Sequence, residues 1–488
     1  MTDLSPRRRM LVLAICCMSL FIVGLDNTIV NIALPSIQRD LHASVSGLQW
    51  TIDAYTLVLA SLLMFSGSTA DRLGRRRTFQ TGLVLFTAGS LACSLAPGLG
   101  WLVAARAVQA VGGSMLNPVA MSIVTNTFTD PRERARAIGV WGATMGVSMA
   151  LGPVLGGLLV DSVGWQSIFW INIPIGVAAM VLAGIFVPES RAPRARRIDP
   201  VGQVLVIVAL ASVTYAIIEA PHAGWASAQT LGLFAVCAVA VAVLCRYEVR
   251  RREPLIDVRF FRSAPFSGAA VIAVCSFGSL AGFLFVNTIY LQDVRGYSAV
   301  HAGLVTLPMA LMTLFFAPLS GRLVGGRGPR LPLLLAAAAI GVSALILTTV
   351  SATTPLAVLI VAYVLFGIGF GFVNAPITNT AVSGMPRSQA GVAAAVASTS
   401  RQIGSSLGVA VIGSLVTSAV VGPLRTGFPE ASHIGWWITV GCAVAVFALG
   451  ILTTGPWARQ TAARTAELLG GGSDAADGRG QDRTAVRA

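Results

Sequence analysis

The chain has 488 residues, 55% hydrophobic and only 11% charged, with a mean hydropathy of +0.77. That balance excludes an ordinary soluble domain and points to a protein embedded in a bilayer. The formal net charge is +14 and all 34 basic residues are arginine, a surplus whose placement, set out below, excludes nucleic acid as its purpose.

Apolar runs of roughly 18 to 25 residues, long enough to cross about 30 Å of hydrocarbon as helices, recur from near residue 10 to near 456. Spans are expected at 10–34, 48–70, 78–96, 101–124, 135–160, 167–187, 200–219, 229–245, 266–291, 301–321, 331–350, 356–380, 391–418 and 433–456, about fourteen in all. The first follows Arg7, Arg8 and Arg9. It is too long for a signal peptide and lacks a small-residue cleavage site, so it is expected to be retained. The arginines fall at the N-terminus, in alternate loops and in the tail. The opposite side holds only Arg39, Arg295 and Arg425, while Arg106 and Arg401 lie inside spans. The positive-inside rule then places both termini in the cytoplasm and requires an even number of spans, with attraction to anionic lipid as a secondary effect.

The seven cysteines lie in or beside apolar spans without a C-x-x-C pair, and the four histidines show no ligand-like spacing. No metal site is expected. No phosphate-binding G-x-x-x-x-G-K-[ST] loop occurs, so no cofactor is expected and the energy source is an ion gradient. A proton moving inward through 100 mV gains roughly 2.3 kcal/mol.

The chain repeats itself. "SGSTADRLGRRR" (66–77) follows the second span, and "LSGRLVGGRGPR" (319–330) follows the tenth. The fourth span contains "GGSMLNPVAMSIVTNTF" (112–128) and the twelfth "GFGFVNAPITNTAVSG" (369–384). An offset of eight spans implies two homologous six-span halves with an inserted pair between them. Repeat halves with a site at their interface are a transporter architecture. The expected organisation is a cytoplasmic N-terminus (1–9), a first six-helix bundle (10–187), a linker with two inserted helices (188–262), a second bundle (263–456) and a disordered cytoplasmic tail (457–488) poor in hydrophobic periodicity.

Charges inside spans are the candidate chemistry. Asp26 lies in "FIVGLDNTIVNIALP" (21–35) beside Asn27 and Asn31, which share a helix face. A carboxylate at mid-bilayer costs on the order of 2.5–3.5 kcal/mol, so it must face the bundle interior. Burial disfavours its charge and a nearby cation favours it, which suits a group that takes and releases a proton as its surroundings change. The alternative is a carboxylate locked by hydrogen bonds. Arg106, Gln109 and Gly113 share one face of the fourth span, as a buried guanidinium needing acceptors requires. Asp53, on the second span, reaches a similar depth, and the three charges are expected to meet; a second proton site, a cation-binding acid and a solvated acid all fit Asp53. Asn27, Asn31, Gln109, Asn117, Asn374, Thr378 and Arg401 are the candidates for a cargo cavity, with structural pairing as the other reading of Arg401.

Two further motifs are conformational. Gly67 and Gly74 permit close backbone approach, and Asp71, Arg72, Arg75 and Arg76 can form ion pairs to a neighbouring helix end. Gly146, Gly152, Gly156 and Gly157 smooth one side of the fifth span, while Pro153 removes a backbone hydrogen bond.

These stretches resemble the major facilitator superfamily and, within it, the fourteen-span drug:proton antiporters of the EmrB/QacA type, over residues 10–456. "GLDNTIVNIALP" (24–35), "GSTADRLGRRR" (67–77), "RAVQAVGG" (106–113), "GVSMALGPVLGG" (146–157) and "WQSIFWINIPIG" (165–176) carry the likeness. Ala110 and Gln166 stand where that family usually has Gly and Arg. The resemblance implies an all-α polytopic fold of two six-helix bundles plus two inserted helices. It also implies a non-enzymatic, monomeric exporter of drug-like molecules in a bacterial cytoplasmic membrane, driven by protons through alternating access. By that likeness Asp26 exchanges a proton for cargo, Arg106 assists proton movement, the 67–77 loop is a cytoplasmic latch, and the 146–157 motif seals the cavity against leak. An importer, an exporter of an endogenous metabolite or lipid, and a non-transporting membrane sensor are the alternatives.

Overall fold

A computed structural model describes residues 5–191, 199–251, 254–383, 385 and 390–469. No strand occurs among them. The helices are α1 (Pro6–Leu41), α2 (Val45–Leu73), α3 (Arg75–Ser94), α4 (Leu99–Thr127), α5 (Pro131–Ser162), α6 (Ser167–Trp170), α7 (Asn172–Phe186), α8 (Pro200–Ala223), α9 (Ala228–Arg250), α10 (Ala264–Ile289), α11 (Ala299–Arg327), α12 (Arg330–Leu347), α13 (Leu356–Val382), α14 (Ala390–Ala419), α15 (Leu424–Leu452) and α16 (Pro456–Leu468). In hydrocarbon every backbone polar group must be satisfied within its own segment, so apolar runs of this length fold as helices. Their ends are fixed locally: Ser44 and Ser298 accept from the first-turn amides of α2 and α11, and Asp130 accepts from Arg132 and Glu133 N at 2.9 Å.

Among the described residues, thirteen helical segments are long and apolar enough to cross a membrane, α6 and α7 forming one of them. The fourteenth expected span, 78–96, is α3. Its first turn of three arginines holds it below that measure, yet it packs along α4 and α7 as an integral member of its bundle. Helix α1 runs on through Pro35, at which the sequence reading had ended it.

The packing repeats. The pairs α1–α5, α2–α4, α3–α4 and α3–α7 of the first half recur as α10–α14, α11–α13, α12–α13 and α12–α15 of the second. The halves meet along α2–α14 and α5–α11, which are equivalent under the same correspondence, and along α1–α10. The inserted helices sit outside both bundles. Helix α8 lies on the α2–α14 seam, held to α2 by Gln203 Nε2 donating to the Ser61 carbonyl at 2.6 Å and Trp50 Nε1 donating to Glu219 at 3.2 Å. Helix α9 packs chiefly on α8 and is the least buried of the spans.

The seam is closed at one end and open at the other. At the end distal to the N-terminus, Gln49 Nε2 donates to the Val409 and Ala410 carbonyls at 3.0 and 3.2 Å, and Gln292 Nε2 to the Ile32 carbonyl at 2.8 Å. Gly146 on α5 faces Leu314 on α11, but on the same helix faces nearer the N-terminal end the space beside Gly139, Gly142, Gly321 and Gly325 is empty. The space beside Gly67, two turns beyond Ala60 on α2, is empty too. The halves therefore splay apart toward the N-terminal end.

The expectation of a disordered tail from 457 is corrected in part, because Pro456–Leu468 form α16. Pro456 starts it, and Ala458, Ala462 and Thr465 bury one stripe against α10 and the 3-10 turn Val258–Arg262. These buried residues recur at i, i+4 and i+7, the spacing of one helical face. The rest of the tail lies outside the described residues.

Candidate functional site

Asp26 and Arg106 meet in the middle of the first half. Arg106 Nη1 donates to Asp26 Oδ2 at 2.6 Å, with side-chain exposures of 2% and 0%. The other carboxylate oxygen, Oδ1, accepts from Gln109 Nε2 at 2.8 Å and from Asn172 Nδ2 at 3.2 Å. Arg106 also donates through Nη1 to Gln109 Oε1 at 2.7 Å and through Nε to the Thr51 carbonyl at 3.2 Å. Its guanidinium lies over the Tyr55 ring, 4.2 Å from the centroid. Ser90 Oγ completes the cluster, accepting from Gln109 Nε2 at 2.8 Å and from Asn172 Nδ2 at 3.3 Å. Five elements thus contribute: α1, α2, α3, α4 and the start of α7. Such a pair is tolerated in a low-dielectric interior because each ion has several hydrogen-bond partners besides the other.

Asp53 does not join them. It lies two residues beyond Thr51, which turns its side chain about 200° round α2 from the arginine. There it is fully buried and accepts from Thr56 Oγ1 at 3.3 Å, with the Ser406 hydroxyl of α14 beside it and no closer partner for Oδ2 among the described residues. Leu57 and Ala60, one and two turns on, line a small void with Ile403, Ser406 and Leu407 of α14 and with Leu210 and Thr214 of α8. Asp53 therefore sits at the seam between the halves, with no ion-pair cation among the described residues.

The expected cavity residues separate into two groups. Gln109 is sealed in the charge network, and Asn31 is buried with Nδ2 donating to the Asn27 carbonyl at 3.1 Å. Asn27, Asn117, Asn374 and Arg401 are half-buried and Thr378 is exposed. Arg401 donates to Thr378 Oγ1 and, at 3.4 Å, to Ser398 Oγ.

In the 67–77 motif, Gly67 touches nothing, Arg72 is exposed, and Arg75 Nη2 pairs with Asp71 Oδ1 at 2.9 Å within its own stretch. Gly74 has φ +117°, which L side chains rarely adopt, and Glu189 packs against it. Glu189 caps α3 by accepting from Arg76 N at 3.1 Å and Arg77 N at 3.3 Å. Among the described residues, the contacts of the motif lie within its own stretch and with Val187 and Glu189.

The smooth side of α5 serves two neighbours. Gly152 and Gly156 press on Thr28 and Ile29 of α1. Gly146 and Gly157 face α11; a Cβ at Gly157 would stand 2.5 Å from the Ala299 carbonyl oxygen and 2.6 Å from Val300 Cα. The Pro153 carbonyl in turn fills the space beside Gly303.

Sequence reasoning missed Thr51, Tyr55, Ser90 and Asn172 as partners of the ion pair. Asn172 carried a signal, as an amide within an apolar run, whereas Ser90 reads as any small helical residue. It also missed Asp161, at the distal end of α5, which accepts from Ala299 N at 3.2 Å and Val300 N at 2.9 Å and so caps α11 of the other half. No group of three or more His, Cys, Asp or Glu is gathered as metal ligands among the described residues.

The chain is 38% identical over 413 residues to the multidrug resistance protein Stp of Mycobacterium tuberculosis, covering 84% of this chain and 76% of that one. It is 38% identical over 399 residues to the tetracenomycin C resistance and export protein of Streptomyces glaucescens, covering 82% and 74%. It is 34% identical over 454 residues to the puromycin resistance protein pur8 of Streptomyces alboniger, covering 92% and 90%. In fold it is similar to the crystal structure of a bacterial homologue of the lysosomal transporter Spinster, solved inward-facing and unoccupied, with a TM-score of 0.65 at 18% identity over 94% of this chain and 99% of that one. The family model of the Major Facilitator Superfamily matches residues 16–409, and the chain is a multi-pass membrane protein belonging to that superfamily.

Proposed function

We propose that the chain is a proton-driven antiporter that exports drug-like molecules, antibiotics among them, across the bacterial cytoplasmic membrane by alternating access, and so confers resistance. The resistance and export proteins it is similar to support the cargo class. The alternate-loop arginines support cytoplasmic termini, which makes the splayed end the cytoplasmic mouth. The proposed protein works as a monomer, with the lipid bilayer as its surroundings, protons and cargo as its partners and no cofactor.

One observation carries the coupling: the ion pair Arg106–Asp26 is sealed while the cytoplasmic end is open. Cargo cannot touch Asp26 in this state, so the two do not compete for it directly. A proton arriving at Asp26 would leave Arg106 a buried cation, and breaking such a pair costs on the order of 3–5 kcal/mol. In the cytoplasm-open form Asp26 is therefore held by Arg106. An exporter needs this arrangement, because it must discharge its proton inside before it accepts cargo there. Asp53, unpaired at the α2–α14 seam, is placed to carry a second proton. A proton entering through 100 mV supplies roughly 2.3 kcal/mol, enough for tens-fold concentration of cargo.

Expression in an efflux-deficient host tests this reading. Raised resistance to a panel of lipophilic antibiotics, lost when an ionophore collapses the proton gradient, is the expected result. Unchanged resistance together with uptake of a nutrient would favour an importer.

A further inference from the structure

Resting on that export reading, we infer that the cargo carries an acidic oxygen, as a carboxylate, phenolate or sulfonate on a lipophilic body, and that Arg401 is the residue that selects it. Of the acids on the first-half helices, Asp71 at the mouth is paired with Arg75, and the two deeper ones are closed off. Asp26 is neutralised by Arg106 and Asp53 is fully buried at the seam. Arg401 is the opposite case. Its guanidinium has two hydroxyl partners, Thr378 and Ser398, and makes no ion pair among the described residues. Its Nε has no acceptor among the described residues. The aromatic face of Phe277 lies 5.9 Å away, an apolar surface beside the charge.

Arg401 reaches from α14 across to α13 on a partly exposed face. Helix α13 packs on α10, α11, α12 and α14, all of its own half. Thr378, to which Arg401 donates, is exposed, and Asn374 on the same face is half-exposed. A cation held within a membrane-spanning segment without a counter-ion is costly, and an arriving anion removes that cost. The planar guanidinium fork matches carboxylate geometry better than an ammonium would. A cationic cargo would meet only repulsion there.

Fluorescein and rhodamine 6G share a xanthene core but carry opposite charge. Their binding to the purified full chain in detergent is read by fluorescence anisotropy, with gradient-driven uptake into proteoliposomes measured alongside. Fluorescein is expected to bind at least about tenfold more tightly than rhodamine 6G. Arg401→Gln should erase that preference while leaving rhodamine 6G binding intact or stronger, which also shows that the variant is folded; Arg401→Lys should keep part of it. Failure of the native chain to prefer fluorescein, or an equal loss of both dyes in Arg401→Gln, would overturn the inference. Preference in binding without gradient-driven uptake would defeat the export reading and leave the charge selection standing. Uptake without preference would do the reverse.

Discussion

Arg106 has no replacement for Asp26 as a charged partner. Without the carboxylate it keeps Gln109 Oε1, the Thr51 carbonyl and the Tyr55 ring, all neutral. Arg106→Gln therefore strands a buried carboxylate and should lower the thermal midpoint in detergent sharply. The double variant Asp26→Asn/Arg106→Gln should recover much of that loss, because removing both ions leaves no uncompensated charge. Arg106→Lys keeps the charge but cannot serve Asp26, Gln109 and Thr51 at once, and is expected to abolish gradient-driven export. Asp53→Asn strands no cation, so its midpoint should stay level or rise while export slows. Equal destabilisation by Asp53→Asn and Asp26→Asn would show that the two acids do not differ as their surroundings imply.

At the level of helices, small residues set how closely the walls approach. Gly408 of α14 lies against Gly278 of α10, where an added Cβ would stand 2.5 Å from the Gly278 Cα, and Gly404 lies one turn earlier against Val274. Close backbone approach of this kind holds membrane helices together. Gly408→Leu should destabilise the second half by overpacking, on the order of 1–3 kcal/mol, read as a lower melting midpoint. Asp161 capping α11 ties the closed ends of the halves together. Losing a cap costs about 0.5–2 kcal/mol, so Asp161→Ala should shift the population toward a form open at the distal end by about two- to thirtyfold. Spin labels at Val163→Cys and His301→Cys, in a background cleared of native cysteines, would report a longer distance; an unchanged distance distribution would remove Asp161 from the closure. The fold was legible at this scale because apolar length and arginine placement are one-dimensional signals. The helical stretch Pro456–Leu468 was harder to read, because its buried face of Ala458, Ala462 and Thr465 is small and set among arginines and other polar residues.

For the whole molecule, repeated sequence stretches eight spans apart correspond to repeated helix packing. The pairing of Asp26 with Arg106 was readable from depth and topology. The exclusion of Asp53 from that pairing was not, since it depends on the rotation of α2 between residues 51 and 53 and on which half each face meets. Nor were the contacts of the 67–77 motif readable, because the capping of α3 by Glu189 depends on a residue more than a hundred positions away. The splayed N-terminal end, the closed distal end and the sealed ion pair together make one arrangement: the pair is closed while the gap is open. Its most direct test is Asp26→Asn in proteoliposomes, with cargo binding, gradient-driven export and cargo exchange at equilibrium measured on the same preparation. Binding and exchange that persist while uphill export is lost are the predicted result. Uphill export at the native rate would contradict the account.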